Sequence, residues 1–123
     1  MGAFLGFIGA LYIQSSADKR AKKNRENIIL TNIRDELGDI SSSLGEYLEK
    51  NIPLNYNIQT PNWNAVLYSG AILEFIENPL YTQTINAYSL IKRFNDMRNY
   101  LCKEDNLNEI KKIYNISKFS QNE

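Results

Sequence analysis

Three groups of residues in this sequence have the side-chain types and spacing that chemistry uses. The string Arg98-Asn99-Tyr100-Leu101-Cys102-Lys103 sets a guanidinium five residues ahead of a second cation. Within it, Cys102 beside Lys103 is placed for a lowered thiol pKa, although a lone cysteine more often serves as a small buried hydrophobe. The carboxylate pairs Asp35/Glu36 and Glu46/Glu49 offer oxygen ligands for a divalent ion or an acid–base pair. Glu46 and Glu49 are three apart, on one side of a helix, but no second carboxylate motif or Glu-x-x-His completes a di-metal site, and a solvated face is the plainer reading. Lys92, Arg93 and Arg98 together offer charge for a small nucleotide, without a motif behind them.

Composition removes most familiar catalysis. The chain of 123 residues has no histidine, one cysteine, and 14 basic against 14 acidic side chains. Histidine-containing zinc sites, Ser-His and Cys-His pairs and imidazole acid–base catalysis are therefore excluded. So are a disulfide framework and a four-cysteine metal site. The sequence lacks G-x-x-x-x-G-K-[ST], G-x-G-x-x-G and G-x-S-x-G, hence the usual phosphate cradles and the hydrolase elbow. No catalytic residue, cofactor or metal is expected, and the chain reads as a non-enzyme.

The string at residues 98–103 resembles the Arg-polar-x-x-x-His signature of the all-α HEPN ribonucleases, whose arginine and histidine act at an RNA phosphate. Lys103 stands where that histidine would be, so the resemblance implies at most an inactive relative of the fold. A solvated or salt-bridged Arg98 is the alternative.

The elements that must position these groups begin with an apolar start. Residues 1–13, MGAFLGFIGALYI, carry no charge, and Lys19, Arg20, Lys22, Lys23 and Arg25 follow closely. As a helix, residues 1–17 span about 26 Å against a hydrocarbon core of roughly 30 Å. Local bilayer thinning, or basic side chains reaching back to the headgroups, closes that gap. A secretory signal would place its cations before the apolar stretch; here they come after it, which predicts a single-pass anchor with everything beyond Asp18 in the cytoplasm. The five cations also suit anionic headgroups. Two other readings stand beside the span, a short helix packed into a soluble core and a helix lying on the membrane surface. Gly2, Gly6 and Ala10 recur every four residues with Gly9 near the same face, a pattern that lets helices approach closely in lipid. With 16 Asn and 15 Ile, as AT-rich coding would give, a bacterial or phage source is expected, and so a bacterial inner membrane.

Beyond the basic run, Leu30, Ile33, Leu37, Ile40, Leu44 and Tyr47 follow a 3-4 spacing, a seam for either a helical bundle or an intermolecular coiled coil. Gly38 and Gly45 sit beside it and weaken the helix. Residues 51–61 form the main loop. Thr60-Pro61 predicts a helix start, with a capping hydroxyl ahead of proline, and a helix to about Glu77 with Trp63, Val66, Leu67, Gly70, Leu73 and Ile76 inward. Asn78-Pro79 repeats the device and begins a helix to about Lys103 with Tyr81, Ile85, Tyr88, Ile91, Phe94, Met97 and Leu101 inward. Asn106 is the expected cap of a last helix that turns Leu107, Ile110, Ile113 and Tyr114 inward. The fold class is all-α: an N-terminal transmembrane helix (1–17), a basic juxtamembrane stretch and long helix (18–51), a cytosolic helical bundle (52–118) and a frayed tail (119–123).

This layout, with Trp63 ahead of Ser69-Gly70, Leu73 and Ile76, and then Tyr88-x-x-Ile91-x-x-x-Asn95, resembles small bacterial single-pass membrane proteins with a cytosolic helical bundle. Among these are the CRISPR-associated accessory membrane proteins, which assemble into ring-shaped pores with a HEPN-like cytosolic domain. The resemblance implies self-assembly and action as a scaffold, sensor or membrane-permeabilising effector, with bacterial phage defence as one setting. Membrane lipid, further copies of the chain and a protein partner are the expected contacts, with nucleic acid unlikely because the cytoplasmic part is nearly neutral. The alternative is a soluble helical interaction module.

Overall fold

A computed structural model describes the backbone of residues 2–118 and the side chains of residues 17–118. The described residues form four α-helices, α1 (Gly2–Lys50), α2 (Pro61–Ser69), α3 (Tyr81–Met97) and α4 (Lys103–Ser117), and no strand occurs among them. The all-α class is correct.

The helix α1 runs unbroken because no proline interrupts it, and it stops on a defined signal. Asn51 adopts φ 57°, its N–H donates to Leu48 O, and Ile52 N–H donates to Tyr47 O. That is the left-handed helix stop in which two orphan carbonyls are satisfied, and Pro53 then bars any continuation. Ile33, Leu37, Ile40 and Leu44 of the seam are buried, and Leu30 and Tyr47 are partly buried against the same core. The seam is thus covered by α4, α2 and the loop of this same chain. Gly45 has a local reason: a Cβ there would lie 3.2 Å from the Tyr114 ring of α4.

The sequence predicted one helix over residues 61–77, and the structure divides it. Gly70 turns left-handed at φ 76°, its N–H donating to Leu67 O, and a 3-10 turn over Ala71–Glu74 follows. A residue with no Cβ adopts that conformation freely, so the helix ends there. The register rotates with it. Phe75 is fully buried, whereas Leu67, Leu73 and Ile76, expected inside, are exposed.

Two further boundaries move. The third helix ends at Met97, not Lys103, in a 3-10 turn over Arg98–Tyr100 and an extended Leu101. The last helix is capped at Cys102, not Asn106, which lies inside α4. The inward positions hold better: Tyr88, Ile91, Phe94, Ile110 and Ile113 are buried. Glu26 bonds Asn78 and Glu36 bonds Tyr88, so α3 runs alongside α1 in the same direction.

Candidate functional site

Glu36 is the point where three elements meet. Its side chain faces the start of α2, where the first turn leaves backbone amides without helical partners. Oε2 accepts from Asn62 N at 2.7 Å and Oε1 from Trp63 N at 3.2 Å. The predicted cap, Thr60, makes no side-chain capping bond. The cap comes instead from α1, and its negative charge also suits the positive end of α2. Oε1 further accepts from the Tyr88 hydroxyl at 2.8 Å. Trp63 and Tyr88 stack face to face, with centroids 4.5 Å apart and planes 4° from parallel.

Burial first, and then the neighbouring Glu36 charge, push the Tyr88 phenol far above its usual pKa. It stays protonated and donates; it is no base at neutral pH. Beside this junction lies a cleft of about 290 Å³ lined by Thr60, Trp63, Ile85, Tyr88, Ser89, Ile91, Lys92, Asn95 and Asp96. It contains hydroxyls, one ammonium and one carboxylate, a set that can hydrogen-bond a small polar group.

A second set of contacts fastens the loop between α1 and α2. Asn106 takes Leu54 N–H on Oδ1 and donates Nδ2 to Leu54 O, both at 2.9 Å. Asn95 grips Ile58 in the same two-bond way, at 2.8 and 2.9 Å. Arg98 donates to Asn57 Oδ1 at 3.0 Å and to Asn55 O at 2.7 Å. The residue that carries the ribonuclease-like string is therefore engaged in holding the loop. Each amide presents one donor and one acceptor in the geometry of a backbone group, and so substitutes for a paired strand. The signal that could have found this is slight: asparagine inside amphipathic helices, at inward positions.

The chain matches no known protein family, no curated protein and no solved structure.

The other sequence candidates fall in different places. Asp35, Glu46 and Glu49 are exposed, and no group of three metal-ligating side chains occurs among the described residues. Glu36 leaves its pair with Asp35 to serve as the cap. Cys102 is exposed and not a buried hydrophobe. Lys92 reaches the cleft, Arg93 is exposed, and Arg98 is on the loop, so the three do not form one cradle. Lys19, Arg20, Lys22, Lys23 and Arg25 lie on an exposed stretch of α1, and Arg25 Nε also pairs with Glu74 at 2.8 Å. Gly2, Gly6, Gly9 and Ala10 lie outside the residues whose side chains are described, as does the apolar stretch up to Ser16. Among the described residues, no helix is long and apolar enough to cross a membrane.

Proposed function

We propose that this protein is a membrane-anchored helical protein whose bundle is displayed on the cytoplasmic side and whose action is physical, through self-assembly. The observation that carries this reading is the course of α1. Every residue from Ala17 to Arg25 is exposed around the whole circumference of the helix, before the chain enters the bundle at Ile29. That length is about 13 Å of helix. It links the bundle to the uncharged residues 1–13 without folding back, which favours an arm over a core strut. On this arm, Lys19, Arg20, Lys22, Lys23 and Arg25 set the orientation and meet anionic headgroups. Gly2, Gly6, Gly9 and Ala10 form the helix–helix contact between copies. The bundle acts as a scaffold or sensor; a permeabilising effector in phage defence rests on the layout resemblance alone.

The test is fractionation of the full chain with carbonate washing, followed by sizing in mild detergent. Retention in the membrane pellet and a discrete oligomer are expected, and Gly6→Leu should reduce the oligomer size. Release by carbonate as a monomer or dimer would overturn the anchor and leave a helical interaction module. An unchanged oligomer in Gly6→Leu would remove the glycine stripe from the assembly.

A further inference from the structure

The α2–α3 connection exposes large apolar side chains to water, beside one exposed carboxylate, Glu77. Leu73 is 72% exposed, Ile76 43% and Tyr68, just before the Gly70 turn, 90%. The helical register alone would have put Leu73 and Ile76 inside. The left-handed Gly70 turned them out and gave the interior to Phe75. Contiguous exposed apolar side chains of this kind mark a surface that another phase or molecule covers.

The position of the patch identifies the phase. Arg25 Nε bonds both Glu74 carboxylate oxygens, at 2.8 and 2.9 Å, and Asn78 bonds Glu26. These contacts fix the connection to α1 at the end of the bundle from which the exposed arm leaves. The geometry points to this connection as a second lipid contact, with Leu73, Ile76 and Tyr68 resting in the polar layer of the same bilayer that holds the anchor. The inference rests on the anchoring reading and deepens it.

The distances permit the contact. Arg25 is about 12 Å along the helix from Ala17. The polar layer on each side of a bilayer is roughly 5–8 Å deep. With the arm tilted by about 20° toward the connection, and the connection about 10 Å from its axis, Leu73 and Ile76 come within roughly 8 Å of the level of Ala17. Lys19, Lys22 and Lys23 precede Arg25 on the same exposed stretch of α1 and would draw anionic headgroups toward this end of the bundle. Arg25 matches the charge of Glu74, while the exposed Glu77 beside Ile76 opposes approach to anionic lipid and sets the limit of the contact. Tyrosine is enriched in that layer, and Leu73 and Ile76 gain by reaching toward its apolar side.

The experiment uses the full chain in vesicles of phosphatidylethanolamine and phosphatidylglycerol. In a Cys102→Ser background, Leu73→Cys, Ile76→Cys and, as reference, Tyr100→Cys are each labelled with a polarity-sensitive fluorophore. Tyr100 is 88% exposed, in the turn that follows α3, where Arg98 holds the α1–α2 loop. The expected result is a blue shift at 73 and 76 together with loss of emission when doxyl-labelled lipid is included, and neither change at 100. A chain that resists carbonate while probes 73 and 76 stay water-like overturns the lipid contact and leaves the anchor standing. A blue shift that doxyl lipid does not quench overturns it in favour of contact with a second copy. A chain that carbonate strips from the vesicles overturns the anchor, and this inference with it.

Discussion

Glu36 does in one side chain what three separate groups would otherwise do. It caps α2, fixes the Tyr88 hydroxyl and keeps the Trp63–Tyr88 stack in register. Glu36→Ala leaves the Trp63 amide and the Tyr88 hydroxyl unpaired in the interior, and we expect a stability loss of about 3 kcal/mol by urea unfolding. The pH dependence follows from Tyr88. In the unfolded chain the phenol titrates near pH 10; in the fold, burial and then the Glu36 charge hold it protonated well above that. Below about pH 10 both states keep the proton and the group contributes no slope. Above it only the unfolded state ionises, so stability falls as pH rises, by up to about 1.4 kcal/mol per pH unit. Tyr88→Phe should remove that share of the alkaline loss; equal slopes for the two proteins would show that the phenol titrates in the fold.

The helices are set apart by their ends. Two of the three stops are legible in the chain, Asn51 with Pro53 beyond it and Asn78 ahead of Pro79, where Asn78 Oδ1 accepts from Leu80 N at 2.9 Å; the third, Gly70, falls inside the span expected as one helix. Gly70 is the sharpest of these. Its φ of 76° strains any residue with a Cβ, although nothing lies within 4 Å of where a Cβ would be. Gly70→Ala should therefore cost about 1 kcal/mol from backbone strain alone, and Gly70→Asn less, as read from thermal unfolding. An equal loss in both variants would mean that the turn is packed and not strained. The start of α2 falls at Pro61 with Thr60 in the N-cap position, as the chain predicts, but the capping bond comes from elsewhere. Thr60-Pro61 fits a local cap, yet the nearer acceptor in space is a carboxylate on a helix that precedes it by a loop.

At the scale of the molecule, α1 belongs to two environments. From Ile29 to Leu48 it forms one wall of the core; from Ala17 to Arg25 it touches that core nowhere with a buried side chain. On the arm reading, removing residues 1–17 should leave the urea midpoint of the bundle unchanged, since the described core begins at Ile29. A fall in midpoint would show that the apolar start packs on the bundle. The chain by itself determined the all-helical class, the apolar and basic order of its first 25 residues, the seam from Leu30 to Tyr47 and most inward positions of α3 and α4. These follow from side-chain period, proline placement and charge, all of which act over one or two helical turns. Tertiary structure decided the rest: that Glu36 caps α2, that Asn95 and Asn106 bind the loop backbone, that Arg98 is held there too, and that Phe75 displaces Leu73 and Ile76 from the interior. Each of the hydrogen-bonded choices pairs groups tens of residues apart, and only the closed bundle brings their donors and acceptors within reach; the Phe75 register follows from the Gly70 turn.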